Sequence, residues 1–233
     1  MTIHLAVFGS ELHFKKDPSV LHGYFVNTTR AIPVYIPLRA EKLLYRFFDR
    51  PENASVNFTG RYDVYFKNED PESLHCVGIF KQEGNYITGT FLTPTGDYRF
   101  LEGDVSGDRA WLSAFDGSHV YVFSARMKGD SIVDGKFYAG LSWYDEWTGV
   151  KNAAAALPAA DEQVHFNEYP MRFAFRNADG KMISINDSIY RNKPLIVQLM
   201  GSWCPNCMDE TKFLDRKSTR LNSSHSSVSR MPS

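Results

Sequence analysis

The chain has 233 residues, with 26 basic and 27 acidic side chains and a formal net charge of -1. That length admits two ordinary domains with a sizeable core, and the even charge balance carries no electrostatic footprint for a nucleic-acid partner. No apolar run reaches the roughly 18 residues of a membrane-spanning helix, and three cysteines are too few for a disulfide scaffold.

The N-terminal segment from Met1 to Gly9 lacks a basic n-region, and its apolar part is short for a signal peptide. Taken literally, the polypeptide is not exported. From about Val20 to Gly149 the dominant period is two, with turn residues every eight to twelve positions. Residues 1–150 are therefore expected to form an all-β antiparallel domain, either a barrel or a sandwich. Val56 to Phe66 alternates through its second half, and Tyr86 to Leu92 follows a Glu83-Gly84-Asn85 turn. Further strands are expected at Tyr98–Leu101, Ala110–Ser113, Val120–Phe123 and Gly135–Gly140. Cys76 lies in the apolar run Leu74 to Phe80 and reads as an inert buried thiol. Asp116-Gly117-Ser118-His119 holds hydrolase-type residues, but an Asp-Gly turn between two strands accounts for them without chemistry. Trp143 and Trp147 suit barrel-end packing, a lid or the wall of a ligand cavity.

Composition shifts at Lys151 to Asp161, where small residues surround Pro158, and residues 151–164 read as a linker or a short helical turn. A second domain then begins near His165. Met171 to Arg176 alternates as a strand, Asn177-Ala178-Asp179-Gly180 is a hairpin turn, and Lys181 to Ile185 returns. Asn186-Asp187-Ser188 is placed to cap a helical turn that ends before Pro194.

The apolar run Leu195 to Met200 reads as a buried strand opening onto Gly201-Ser202-Trp203-Cys204-Pro205-Asn206-Cys207. Two cysteines separated by two residues after a strand form a redox signature. Pro205 suits the first helical position, because the N–H it lacks would be unpaired there anyway. Cys204 then sits at a helix N-terminus, where unpaired N–H groups and the dipole favour its thiolate. Cys207, one turn on, is placed to close a small disulfide ring with it and to resolve a mixed disulfide. Zinc would need a second ligand pair, which is lacking, and haem attachment would need His where Met208 stands. No metal and no cofactor are expected.

Leu195 to Leu214, reading LIVQLMGSWCPNCMDETKFL, resembles the strand and active-site helix of the TlpA/ResA-like thiol-disulfide oxidoreductases, a branch of the thioredoxin superfamily. The resemblance covers residues 165–214 and is carried most specifically by Trp203 before the first cysteine and Pro205 after it. It implies that residues 165–214 form the first part of an α/β thioredoxin-like domain, with Cys204 as nucleophile and Cys207 as resolving thiol. Trp203, Pro205, Asn206 and Gln198 would flank them. Gln198 stands where thioredoxin proper has a buried carboxylate, an amide found in TlpA-type members, which weakens a proton-relay role there. The implied activity is protein-disulfide oxidoreduction, with reductase favoured over oxidase and isomerase. Its partners would be protein thiols and disulfides and an upstream electron donor, in the periplasm or outer cell envelope. A peroxiredoxin-like antioxidant enzyme is the enzymatic alternative, although Gly201 stands where that family has Thr or Ser. A β-domain binding module with a vestigial redox segment is the non-enzymatic one.

Residues 215–233 are polar and aperiodic and read as a disordered tail. Asp215 to His225 also resembles the translation of a common sequencing-library adapter, so the tail is expected to be non-native and the second domain C-terminally truncated after Leu214. The strand at Leu195 to Met200 would then lack sheet neighbours, leaving that domain poorly stable or inactive. An independent read of the locus is expected to diverge after Leu214; the same tail in genomic DNA would contradict this.

Overall fold

Period-two alternation from Gly60 to Lys151 gives each strand one apolar face, and curling the sheet buries those faces together. A computed structural model of the chain describes residues 1–17, 19–28, 32–67, 75–94, 96–159, 171–177, 179–201 and 204–221. The chain divides into two compact units, Met1–Pro158 and Ala159–Ser233.

The first unit opens with four antiparallel strands in sequential order: β1 (Thr2–Leu5), β2 (Ser10–Lys16), β3 (Val20–Asn27) and β4 (Tyr35–Glu41). One face of this sheet meets the end of a barrel, where Phe25 packs edge-on against Phe115 at 5.9 Å and the Ser10 hydroxyl donates to the Gly117 carbonyl at 2.6 Å. The barrel comprises β5 (Gly60–Phe66), β6 (His75–Glu83), β7 (Tyr86–Thr93), β9 (Leu101–Ser106), β10 (Arg109–Phe115), β11 (Val120–Lys128), β12 (Ser131–Ala139) and β13 (Trp143–Lys151), with the two-residue β8 (Gly96–Asp97) beside β7. Each barrel strand pairs with its sequence neighbours, and β13 pairs with β5 to close the ring. This is an eight-stranded antiparallel barrel of up-and-down order.

Aromatic rings fill its interior. Phe91 stacks on Phe123 at 4.5 Å and meets Trp147 and Phe80 edge-on, while Phe123 stacks on Phe137 at 4.4 Å. Trp147 is therefore a core residue of β13, whereas Trp143 on the same strand is half exposed. Cys76 is buried in β6 at 1% exposure. Outside the barrel, a loop crosses β9 and is held by Asp104, whose carboxylate accepts the Arg46 and Phe47 N–H groups at 2.5 and 2.8 Å. Beyond Lys151 the chain still packs on this unit: Ala155 is buried, and its carbonyl accepts two bonds from the Arg61 guanidinium.

The second unit corrects the expectation of an α/β thioredoxin-like domain. The described residues are nearly all-β, and no α/β thioredoxin-like layer is formed among them. Its described residues form one hairpin, β14 (Ala174–Arg176) with β15 (Met182–Ser184), a 3-10 turn at Ser188–Tyr190, and one helix, α1 (Pro205–Leu221). The expected strand at Leu195 to Met200 is irregular, with Ile196 at 76% and Leu199 at 92% exposure. The physical reason is lateral: a central strand of an α/β sheet needs paired neighbours and helices on both faces, and among the described residues nothing pairs with this one. Residues 215–221, expected to be disordered, continue α1, and residues 222–233 lie outside the described residues.

Candidate functional site

Helix α1 begins at Pro205, so Cys204 is the residue that precedes the first helical position. Its carbonyl accepts the Met208 N–H at 3.1 Å, the first bond of the helix ladder. Its Sγ accepts the Cys207 N–H at 3.2 Å, as a serine or aspartate oxygen does when it caps a helix through the third helical position. On the other side, the Cys204 N–H donates to the Gly201 carbonyl at 3.0 Å.

The two sulfurs are joined as a disulfide, with the Cα atoms 5.3 Å apart. Both cysteines are partly exposed. One helical turn holds the ring closed, so opening it requires little backbone movement. Reduction would leave the Cys204 sulfur beside backbone N–H groups at the positive end of α1, the setting that stabilises a thiolate.

Gln198 is drawn to the same turn. Its Nε2 donates to the Cys207 carbonyl at 3.2 Å and to the Glu210 carboxylate at 3.0 Å, and its Oε1 accepts the Thr211 hydroxyl at 2.9 Å. The Thr211 oxygen also lies 2.8 Å from the Cys207 carbonyl. The segment before the cysteines is thus strapped to the helix through side chains rather than through a sheet ladder. Thr211 and Glu210 were not among the residues picked out by the sequence; their one signal is the helical spacing of 207 and 211 on one face. Trp203 lies outside the described residues, and for Pro205 and Asn206 only the helical backbone is described.

The hydrolase-type cluster in the barrel is a turn. Asp116 Oδ1 accepts the Ser118 and His119 N–H groups at 2.8 and 2.7 Å, and its Oδ2 lies 3.0 Å from His119 Nδ1. This carboxylate is spent on closing the link between β10 and β11. Among the described residues, no group of three or more His, Cys, Asp or Glu side chains is arranged to hold a metal ion, and no helix is long and apolar enough to cross a membrane.

Comparison of the chain with protein-family models, curated proteins and solved structures gives no match.

Proposed function

We propose that the chain carries a thiol-disulfide redox centre at Cys204 and Cys207, acting in protein-disulfide oxidoreduction. The observation that carries this reading is the bonded pair at the start of α1, with the Cys204 sulfur also accepting the Cys207 N–H. In the reductive direction the Cys204 thiolate attacks one sulfur of a substrate disulfide and releases the other as a thiolate. The Cys207 thiolate then attacks the Cys204 sulfur, freeing the second substrate thiolate and leaving the disulfide seen here. Two electrons pass to the substrate, and an upstream dithiol donor restores them. Buried Cys76 takes no part.

The likeness of Leu195 to Leu214 to the TlpA/ResA-like enzymes supports reductase chemistry and an envelope location. It is a likeness of the Trp-Cys-Pro-Asn-Cys segment and does not extend to the architecture of the second unit. The test is a redox titration of the full chain in thiol-disulfide buffers, read by alkylation and mass spectrometry. Cys204 and Cys207 are expected to convert together and reversibly, with Cys76 unmodified until the protein is denatured. Independent alkylation of the two cysteines, with no buffer-dependent disulfide, would remove the proposal.

A further inference from the structure

Two β-bulges lie side by side on the outer wall of the barrel. The register between β11 and β12 shifts between Ser124 and Arg126, and that between β12 and β13 shifts between Ile132 and Gly135. Bulges bend strands and re-aim side chains. Here they flank a half-open cavity of about 590 Å³, within the range of small-molecule sites. Gly135 permits the close approach that shapes it, since a Cβ there would overlap the Trp147 carbonyl and ring. Asp134 beside it takes a left-handed backbone, φ 52°, which short polar residues tolerate at a cost.

The charges around this cavity are unequal. Four basic side chains, Lys67, Arg109, Arg126 and Lys136, line it against two acidic ones, Asp134 and Glu146. Lys67 pairs with Glu146 at 2.5 Å, and Arg126 pairs with nearby Asp108 at 2.5 Å and stands 3.8 Å from Asp134. Among the described residues, no carboxylate lies within ion-pair distance of Arg109 or Lys136. Arg109 is also the direct cross-strand partner of Arg126, and like charges placed opposite each other, about 5 Å apart at Cβ, destabilise a sheet. Asp108 takes up the Arg126 guanidinium, and a second anion on the groove side of Arg109 relieves the remaining repulsion, since guanidinium forks match phosphate oxygens. Trp111 and Tyr138 add flat apolar surface to the same walls.

We propose that this groove binds a small phosphomonoester, with the phosphate held by Arg109 and Lys136 and the organic part against Trp111 and Tyr138. The four basic and two acidic side chains of the lining leave an excess of two positive charges, which fits a dianion, and a phosphomonoester carries nearly that charge at neutral pH. The site lies in the barrel and is independent of the cysteine pair.

The experiment is calorimetric titration of the full chain with phenyl phosphate, inorganic phosphate and benzoate. Saturable binding of phenyl phosphate at one site is expected, with inorganic phosphate weaker and benzoate weaker by about tenfold. Arg109→Gln and Lys136→Gln, both exposed, are each expected to weaken phenyl phosphate about tenfold without lowering the thermal midpoint. Lys128→Gln, on the barrel surface but not lining the groove, is expected to bind as the parent does. No saturable binding of phenyl phosphate, equal binding of benzoate, unweakened binding by the two groove variants, or an equal loss in Lys128→Gln would each overturn the proposal.

Discussion

The Cys204 sulfur occupies the position that a capping oxygen usually fills at a helix start, and it does so while bonded to Cys207. One atom thus serves both the helix start and the disulfide, which couples the bonding of the two cysteines to the first turn of α1. Gln198 adds a second hold on that turn through the Cys207 carbonyl. A different residue-scale device ties the barrel's outer wall to the chain leaving it: Asp63 accepts the Asn152 amide and lies against the His75 ring nitrogen, both at 2.6 Å. The Asn152 bond first, then His75, holds the Asp63 carboxyl below the usual carboxylate range. A folded-state value lowered in this way adds stability above the unfolded-state pKa, and that stability is lost as pH falls through the folded value. Asp63→Asn is therefore expected to lower the urea midpoint near neutral pH and to flatten its decline below about pH 4. An unchanged acid slope would show that the carboxylate contributes nothing.

At the scale of elements, the barrel strands were legible because alternation, turn glycines and aromatic content all point the same way. Tyr86 to Leu92 and Val120 to Phe123 were expected as strands and fall inside β7 and β11. The strand β13 was obscured by its tryptophans: Trp143 and Trp147 read as barrel-end packing, a lid or a cavity wall, whereas Trp147 is buried and pairs with Phe66 of β5 in the closing strand. The strands β1 and β2 were not singled out, although Ile3, Leu5, Leu12 and Phe14 alternate with His4, Glu11 and His13, and Glu11 sits between the two imidazoles at 3.0 and 2.7 Å. Within the barrel, Phe91 joins the strands by touching Phe80, Phe123 and Trp147. Phe91→Ala is expected to cost about 3–5 kcal/mol in denaturant unfolding, because neighbours on three other strands cannot all collapse into the space. A loss below about 1 kcal/mol would mean that the ring cluster is not the element that binds the wall together.

For the molecule as a whole, the two units differ in what holds them. The barrel unit has a continuous buried core from Phe58 to Trp147, whereas every described residue of the second unit is at least partly exposed. Sequence showed the cysteine pair and its helix because Pro205 and the two-residue spacing act locally. It pointed to a strand at Leu195 to Met200 that is not formed, because apolar composition does not provide pairing partners, and those are long-range. The redox reading therefore rests on the local geometry of Cys204 and Cys207 rather than on a surrounding sheet. Its most direct test is to incubate the Cys207→Ser chain with a disulfide-bonded protein such as insulin and look for a covalent adduct. The account predicts an adduct through Cys204 that dithiothreitol releases and that Cys204→Ser does not form; no adduct, or one through Cys76, would contradict it.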